Sequence, residues 1–150
     1  MAVSSTEEGA TDYIDADYHD VGEIIAYARP MLDFSRPIAV LFMGVMGYVP
    51  EIAEVRGIIN RFVMAVPSGS YLAMWDGTST SEIARVMERK QTEMGFPYAL
   101  RSVEELASCF DGLDLAPPGL VPITAWRPED LPRGETIDQI DSYGAVARKP

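Results

Sequence analysis

The sequence predicts an α/β fold in which parallel strands form the centre of a sheet and helices cover both of its faces. The first observation is an uncharged stretch, Pro37–Pro50, whose apolar part, Ile38–Val45, is typical of a strand buried on both faces. The second is the helical periodicity that follows it, and the third is another apolar run, Ser70–Trp75. A strand, a helix and a strand joined by short connections form a βαβ unit, whose two strands are parallel.

Composition indicates one globular domain with a sizeable core. The chain has 150 residues, of which 47% are hydrophobic and 23% charged. Residues 1–10 are polar, small and acidic, so we expect a disordered tail there and a folded domain over residues 11–150. The single cysteine, Cys109, excludes an intrachain disulfide and a cysteine-based zinc site, and together with the absence of a secretory signal it favours a cytoplasmic location.

The net charge restricts the partners that we expect. At −11, it opposes attraction to phosphate backbones, so a nucleic-acid partner is disfavoured. The run Ile38–Val45 is too short for a membrane-spanning helix, so no membrane partner is expected either.

The N-terminal elements are predicted from local signals. Thr11–Tyr18 combines β-forming residues with an acidic end and predicts a strand of about four residues that ends at Asp15 or Ala16. Asp20 and Glu23 have the spacing of a capping box, which predicts that a helix begins there. Pro30 should end or kink that helix.

The central helices follow from hydrophobic periodicity and caps. Apolar residues at i, i+3, i+4 and i+7 predict a long helix between Pro50 and Pro67: Ile52, Val55, Ile58, Ile59, Phe62, Val63 and Val66. Thr78–Ser81 supplies N-cap candidates for a helix through about Met94. Its inward side chains are expected to be Ile83, Val86, Met87 and Met94.

The C-terminal elements are a short helix and a β-rich finish. Ser102 and Glu105 form a second capping box. A strand is predicted to begin with Leu113–Leu115, to be interrupted at Pro117–Gly119 and to resume over Leu120–Ile123. Its prolines place it at a sheet edge. After a Pro- and acid-rich loop over residues 126–140, Tyr143–Lys149 predicts a terminal strand that closes the sheet in an antiparallel hairpin.

The ends of the predicted strands contain the candidate site. Ligands of open α/β sheets bind outside the carboxyl ends of the strands, which here directs attention to Gly44–Tyr48 and to Asp17. Asp17 also suits a purely structural role at a strand end. Tyr48 suits either a packing role in the wall of the site or direct contact with a ligand. The single histidine, His19, has no clustered partners for a metal site, so none is expected. No nucleophile elbow or phosphate-cradling loop occurs, which argues against hydrolases and nucleotidases.

Nine segments have a recognisable order and spacing: Tyr13–Asp17, Arg36–Leu41, Tyr48–Pro50, Pro67–Leu72, Leu100–Ser102, Phe110–Leu113, Pro118–Pro122, Trp126–Pro128 and Tyr143–Lys149. Together they resemble a bacterial family of S-adenosyl methyltransferases, which belong to the class I S-adenosylmethionine-dependent enzymes with a Rossmann-like sheet. The resemblance runs from about Gly9 to Pro150 and begins just before the family's third strand.

The resemblance implies an N-terminally truncated domain. The family's Gly-rich turn after its first strand and the acidic residue after its second have no counterpart here, and none of the 12 glycines lies in an Asp/Glu-x-Gly-x-Gly motif. We therefore expect S-adenosylmethionine to be the cofactor of the complete domain. Methyl transfer by this chain should be absent or weak without the Gly-rich half.

Site residues follow from the resemblance position by position. Asp17 matches the acidic residue that accepts a hydrogen bond from the adenine amino group, with Tyr18 beside the ring. Gly44 and Val45 match the strand end that lines the cofactor, and the acceptor is expected near Gly47 and Tyr48.

The chain departs from the family at two positions. His19 stands where Arg is usual, and Gly47 stands where His is usual, so a charge and a candidate base are missing. Methyl transfer needs mainly positioning and a deprotonated acceptor, so no catalytic residue is predicted.

Three functions remain open on the sequence. The chain is part of a methyltransferase, or a non-catalytic remnant that binds a partner protein, or a cofactor-independent small-molecule binder. The resemblance implies the sheet order 3-2-1-4-5-7-6, in which Ile38–Val45 is the fourth strand and lies beside the first. Without the family's first two strands, Ile38–Val45 has an unpaired apolar edge. We expect either that the predicted strand at Thr11–Tyr18 pairs with it, or that the edge recruits a second copy or a complementing chain.

Overall fold

The computed structural model describes residues 11–128 and 140–150, in two units, Met1–Asp33 and Phe34–Pro150. The predicted tail at residues 1–10 and most of the predicted loop after Trp126 lie outside the described residues. Within the first unit, α1 spans Val21–Ala28 and ends before Pro30, as predicted.

The prediction of a short strand within Thr11–Tyr18 is wrong. Residues 11–17 have no regular secondary structure and lead into a turn, in which the Asp20 N–H donates to the Asp17 carbonyl at 2.8 Å. A strand is stabilised by ladder hydrogen bonds to a neighbour, and none of the described residues pairs with this segment.

The prediction of a capping box formed by Asp20 and Glu23 is wrong as well. Asp20 occupies the N-cap position of α1, but its side chain makes no capping hydrogen bond within the described part of the chain. The Glu23 N–H instead donates to the Asp20 backbone carbonyl at 3.0 Å. The first turn of α1 is therefore closed by the backbone.

The second unit contains one mixed sheet. Its strands are β1 (Ala39–Met43), β2 (Tyr71–Gly77), β3 (Asp114–Leu115), β4 (Val121–Pro122) and β5 (Ser142–Arg148). The described order is β1-β2-β5-β3, and β4 also pairs with β5. The β1 and β2 strands are parallel, whereas β5 is antiparallel to β2, β3 and β4. This confirms the α/β class, the parallel β1–β2 pair, the antiparallel C-terminal strand and the edge position of β3, but the parallel pair lies at one side of the described sheet and not at its centre.

Three helices accompany the sheet: α2 (Ile52–Ala65), α3 (Glu82–Glu93) and α4 (Val103–Ser108). Between β1 and β2, α2 completes the predicted βαβ unit. Phe62 of α2 packs edge-to-face on Phe42 of β1, with ring centroids 5.6 Å apart. The core of this side of the sheet also includes Val55, Ile58, Ile59, Leu72, Met74, Ala145 and Ala147.

The opposite side of β1 is open, so the expectation that Ile38–Val45 is buried on both faces is wrong. Leu41 is 58% exposed and Met43 42% exposed, and the strand register puts Tyr71, also 42% exposed, on the same face. These side chains are exposed because β1 is an edge strand of the described sheet.

The cap of α3 is predicted correctly, but its inward face is not. The Ser81 side chain accepts from the Ala84 N–H at 3.1 Å, as an N-cap. Of the four side chains predicted to face inward, Val86 is half-buried, whereas Ile83, Met87 and Met94 are exposed. The inward face instead carries Ala84, which is buried, and Glu88, whose carboxylate accepts from the Leu100 N–H at 2.8 Å.

The second capping box is confirmed at the start of α4. The Ser102 side chain accepts from the Glu105 N–H, and the Glu105 carboxylate accepts from the Ser102 N–H. Cys109, directly after α4, is buried, and this burial raises the pKa of its thiol to about 11. Among the helices of the described residues, none combines the length and the apolar character of a membrane span.

A matched pair of substitutions tests the helix faces. Ile58→Ala should lower the free energy of unfolding by about 2–5 kcal/mol, because Ile58 is fully buried and leaves a cavity. Ile83→Ala, at a position 76% exposed, should change it by less than about 0.5 kcal/mol. Urea unfolding of both variants measures this, and equal losses would contradict the assigned face of α3.

Candidate functional site

The carboxyl ends of β1 and β2 lie at the same edge of the sheet because the two strands are parallel. After β1 the chain turns at Gly44, which has a φ of 68°, and enters a 3-10 turn over Met46–Tyr48. The Gly44 N–H donates to the Trp75 carbonyl at 2.9 Å. A side chain at this position would collide with the Trp75 indole, so packing explains why the residue is glycine.

A buried carboxylate joins the two strand ends. Asp76, near the end of β2, is fully buried. Its Oδ2 accepts from the Met46 N–H at 2.9 Å, and its Oδ1 accepts from the Gly77 N–H at 2.8 Å and from the Tyr98 hydroxyl. These bonds offset the cost of removing a carboxylate from water and fix the loop after β1 to the end of β2.

Tyr98 extends this network to a third segment. Burial and the hydrogen bond to Asp76 raise the pKa of the Tyr98 phenol above its ordinary value of 10.0, so the hydroxyl stays a proton donor at neutral pH. The Tyr98 ring lies against Gly47, where a Cβ would collide with it, and the Ala99 N–H donates to the Gly47 carbonyl at 2.7 Å. Tyr48 meets the same ring edge-to-face, at 5.0 Å between centroids.

Arg101 holds the far end of the same loop. Its side chain is buried, and its guanidinium donates to the Pro50 carbonyl at 2.7 Å and to the Val49 carbonyl. Its backbone N–H donates to the Gly77 carbonyl at 3.2 Å. The loop after β1 is therefore bound to the Tyr98–Arg101 segment at both of its ends.

A cavity of about 410 Å³ opens beside this loop. Gly47, Tyr48 and Pro50 form one side of it, and the last two turns of α3, with Glu88, Thr92 and Glu93, form another. The arrangement has an aromatic wall, a carboxylate-bearing wall and an opening to solvent. It therefore provides a concave surface for a small ligand.

The predicted site residues fall into two groups. Gly44 and Val45 are half-buried at the end of β1. Gly47 is buried and Tyr48 is 63% exposed, and the structure brings both to the cavity.

The other predicted site residues, Asp17 and Tyr18, lie in the first unit. Asp17 is exposed, and its carboxylate accepts from the His19 N–H at 2.9 Å and contacts the His19 ring. These hydrogen bonds lower the pKa of the Asp17 carboxyl, which is therefore an ionised acceptor. The centroids of the Tyr18 and His19 rings are 4.7 Å apart.

Sequence reasoning missed three residues of this site. Asp76 directly follows the apolar core of β2, and a carboxylate at a strand's carboxyl end was a usable signal. Tyr98 and Arg101 lie in a segment without regular structure, where no periodicity indicates a partner. As for metals, no cluster of three potential ligands occurs among the residues that the structure describes.

Comparison with known proteins gives a family and close structural neighbours. A family model described as S-adenosyl methyltransferase matches residues 1–150. A DUF574 family protein from Streptomyces avermitilis MA-4680 is similar, with a TM-score of 0.81 and 36% identity over 92% of this chain and 55% of its own. A candidate methyltransferase from Thermobifida fusca YX has a TM-score of 0.79 and 27% identity over 89% of this chain and 52% of its own.

A likeness in fold alone reaches a more distant structure. This chain matches only part of the length of each of these structures. A S-adenosylmethionine-dependent methyltransferase from Methanosarcina mazei has a TM-score of 0.50 at 13% identity, over 74% of this chain and 58% of its own. The chain thus spans about half the length of the solved structures that it matches. No protein of curated function matches it.

The Tyr98 hydroxyl gives the site a measurable pH dependence. Because the phenol pKa is higher in the folded chain, the unfolded chain loses its proton first, and stability should fall as pH rises above the ordinary value of 10.0. Tyr98→Phe should lower the free energy of unfolding by about 1–3 kcal/mol at neutral pH, since it removes a hydrogen bond to a buried carboxylate.

The decisive measurement is denaturant unfolding of both proteins between about pH 8 and about pH 11. The stability difference between the native protein and Tyr98→Phe should shrink over the upper part of this range. A constant difference would contradict the bonded, half-buried position of the phenol.

Proposed function

Because the chain belongs to the S-adenosyl methyltransferase family, we propose that it contributes the acceptor side of an S-adenosylmethionine-dependent methyl transfer. The observation that carries this proposal is the loop after β1, which Asp76 and Arg101 hold rigidly beside a cavity at the carboxyl edge of the sheet. Gly47 and Tyr48 are the acceptor-side residues. A pre-organised edge of this kind suits a reaction that depends mainly on positioning.

The cofactor-side assignment is part of the same proposal. When bound, the cofactor supplies an electrophilic methyl group on a sulfonium. Gly44 and Val45 would line it with half-buried backbone at the strand end. Asp17, kept ionised by its hydrogen bonds, would accept from the adenine amino group, with Tyr18 beside the ring. Taken separately, each group fits one part of an adenosyl ligand: Asp17 offers an ionised acceptor, and the end of β1 offers half-buried backbone.

Full activity requires a Gly-rich segment in addition to these residues. The sequence contains no Asp/Glu-x-Gly-x-Gly motif, the motif that in the resembling family receives the methionine portion of the cofactor. We therefore expect these 150 residues by themselves to transfer methyl groups weakly or not at all. The free, buried Cys109 favours a reducing compartment, the cytoplasm, as the place of action.

Binding of S-adenosylhomocysteine, measured by calorimetry, tests the cofactor-side residues. We expect detectable but weak binding by the chain alone, weakened about tenfold in Asp17→Ala because a charged acceptor is lost. Asp17→Asn is a second variant that retains an acceptor for the His19 N–H but removes the charge, and it should also bind more weakly. Asp20→Ala is the matched control, because this nearby carboxylate makes no capping bond. Absence of binding at millimolar ligand, or equal binding by all variants, would overturn the assignment of Asp17.

A second candidate function, partner binding, is favoured by the open face and edge of β1. Leu41, Met43 and Tyr71 expose apolar surface side by side, and β1 has a hydrogen-bonded neighbour on one side only within the described sheet. An exposed apolar edge strand recruits other chains. We propose that this edge pairs with a second copy of the chain when the chain is alone, and that a complementing chain would compete for it.

Sedimentation at increasing concentration tests this association. The purified chain should form a dimer, and Leu41→Lys should shift it toward the monomer because a charge enters the apolar face. Met64→Lys is the control, since Met64 is 68% exposed on α2, away from this face. A monomer at every concentration, or a dimer unaffected by Leu41→Lys, would contradict association through β1.

A further inference from the structure

The cavity beside the loop after β1 has an aromatic corner. The Tyr98 ring is fixed because its hydroxyl is bound to Asp76, and the Tyr48 ring stands at 88° to it. Pro50 and Pro97 extend the same wall. Aromatic ring faces attract organic cations, most strongly where the site is partly desolvated.

The opposite wall of the cavity is negatively charged. Glu88 is held in place by the Leu100 N–H, and Glu93 makes no side-chain hydrogen bond or ion pair with any other residue that the structure describes. The one cationic side chain among the lining residues, Arg89, has its guanidinium 3.4 Å from Glu82, toward the start of α3. An anionic ligand would therefore meet two carboxylates, whereas a cation would be attracted by both.

The size of the cavity and the net charge of the protein also favour a small cationic ligand. At about 410 Å³, the cavity is in the range of small-molecule sites, which is roughly 300–1,000 Å³. The net charge of −11 raises the concentration of cations at the surface of the protein. Both effects favour a small positively charged ligand over a neutral one of the same shape.

We propose that this cavity binds a small organic ammonium ion and that the methyl acceptor is the corresponding amine; this assignment of substrate class rests on the proposed function. The bound ammonium gives up one proton to water. The nitrogen lone pair then forms the new N–C bond while the S–C bond of the sulfonium donor breaks, and the electron pair of that bond stays on sulfur as the neutral thioether. The products are an N-methylated ammonium ion and the thioether, so atoms and charge balance.

A pair of isosteric probes tests the binding site without requiring turnover. Choline and 3,3-dimethylbutan-1-ol have the same shape and differ in charge. Titrated separately into the folded chain up to tens of millimolar and followed by NMR shifts of the Tyr48 and Tyr98 rings, choline should bind about tenfold more tightly. Equal affinities, or no shifts of these rings with choline, would overturn the proposal.

Variants locate the effect at the two walls. Tyr48→Leu removes an exposed ring, and Glu93→Gln removes a charge without changing shape; each should weaken choline binding about three- to tenfold and leave the neutral probe unaffected. Glu104→Gln, the same change at an exposed position on α4, is the matched control and should bind choline like the native chain. Unchanged choline binding in both cavity variants would contradict the site.

The two proposals fail in distinguishable ways. Binding of S-adenosylhomocysteine without selectivity for choline would overturn the ammonium site and leave the methyltransferase proposal standing. Selective choline binding without any binding of S-adenosylhomocysteine would support the ammonium site and contradict the cofactor-side assignment.

Discussion

The geometry at the carboxyl edge of the sheet depends on the buried carboxylate of Asp76. A carboxylate removed from water costs several kcal/mol unless its oxygens are hydrogen-bonded. Asp76 meets this requirement with donors from three places: the Met46 N–H after β1, its neighbour's N–H on β2, and the Tyr98 hydroxyl. Displacing any of these segments would leave the buried carboxylate with too few hydrogen bonds. The three segments are therefore held together.

Arg101 complements this anchor from the other side of the loop. It donates to the carbonyls of Val49 and Pro50, whereas Asp76 accepts from the N–H at the start of the same turn. The loop between them is therefore fixed at both ends, and its remaining freedom lies in exposed side chains such as Tyr48. A rigid backbone that presents adaptable side chains is the arrangement that a positioning site needs.

The sequence predicted the parts of the fold that depend on local signals. The periodicity of α2, the Ser102–Glu105 capping box and the parallel βαβ unit were all readable, because hydrophobic spacing and cap chemistry act within a few residues. The prediction at Thr11–Tyr18 failed because strand formation needs a neighbour, which composition does not reveal. The prediction of the inward face of α3 failed because the face that packs carries Ala84 and Glu88, and neither residue adds to a pattern of large apolar side chains. In the candidate site, Gly47 and Tyr48 were predicted, but the Asp76–Tyr98 pair joins residues 22 positions apart and left no periodic trace.

The two faces of the sheet are unequal, and this asymmetry links the cofactor proposal to the partner proposal. One face is closed by α2, while the other leaves Leu41 and Met43 exposed on an edge strand without the charged residues that usually protect such edges. On the family resemblance, the strand expected beside β1 is also the one that leads into the Gly-rich turn. A chain that supplied this strand would therefore bury the apolar edge and complete the cofactor site in one step. A second copy of the present chain would bury the edge without supplying the turn, so self-association and methyl transfer should compete for β1.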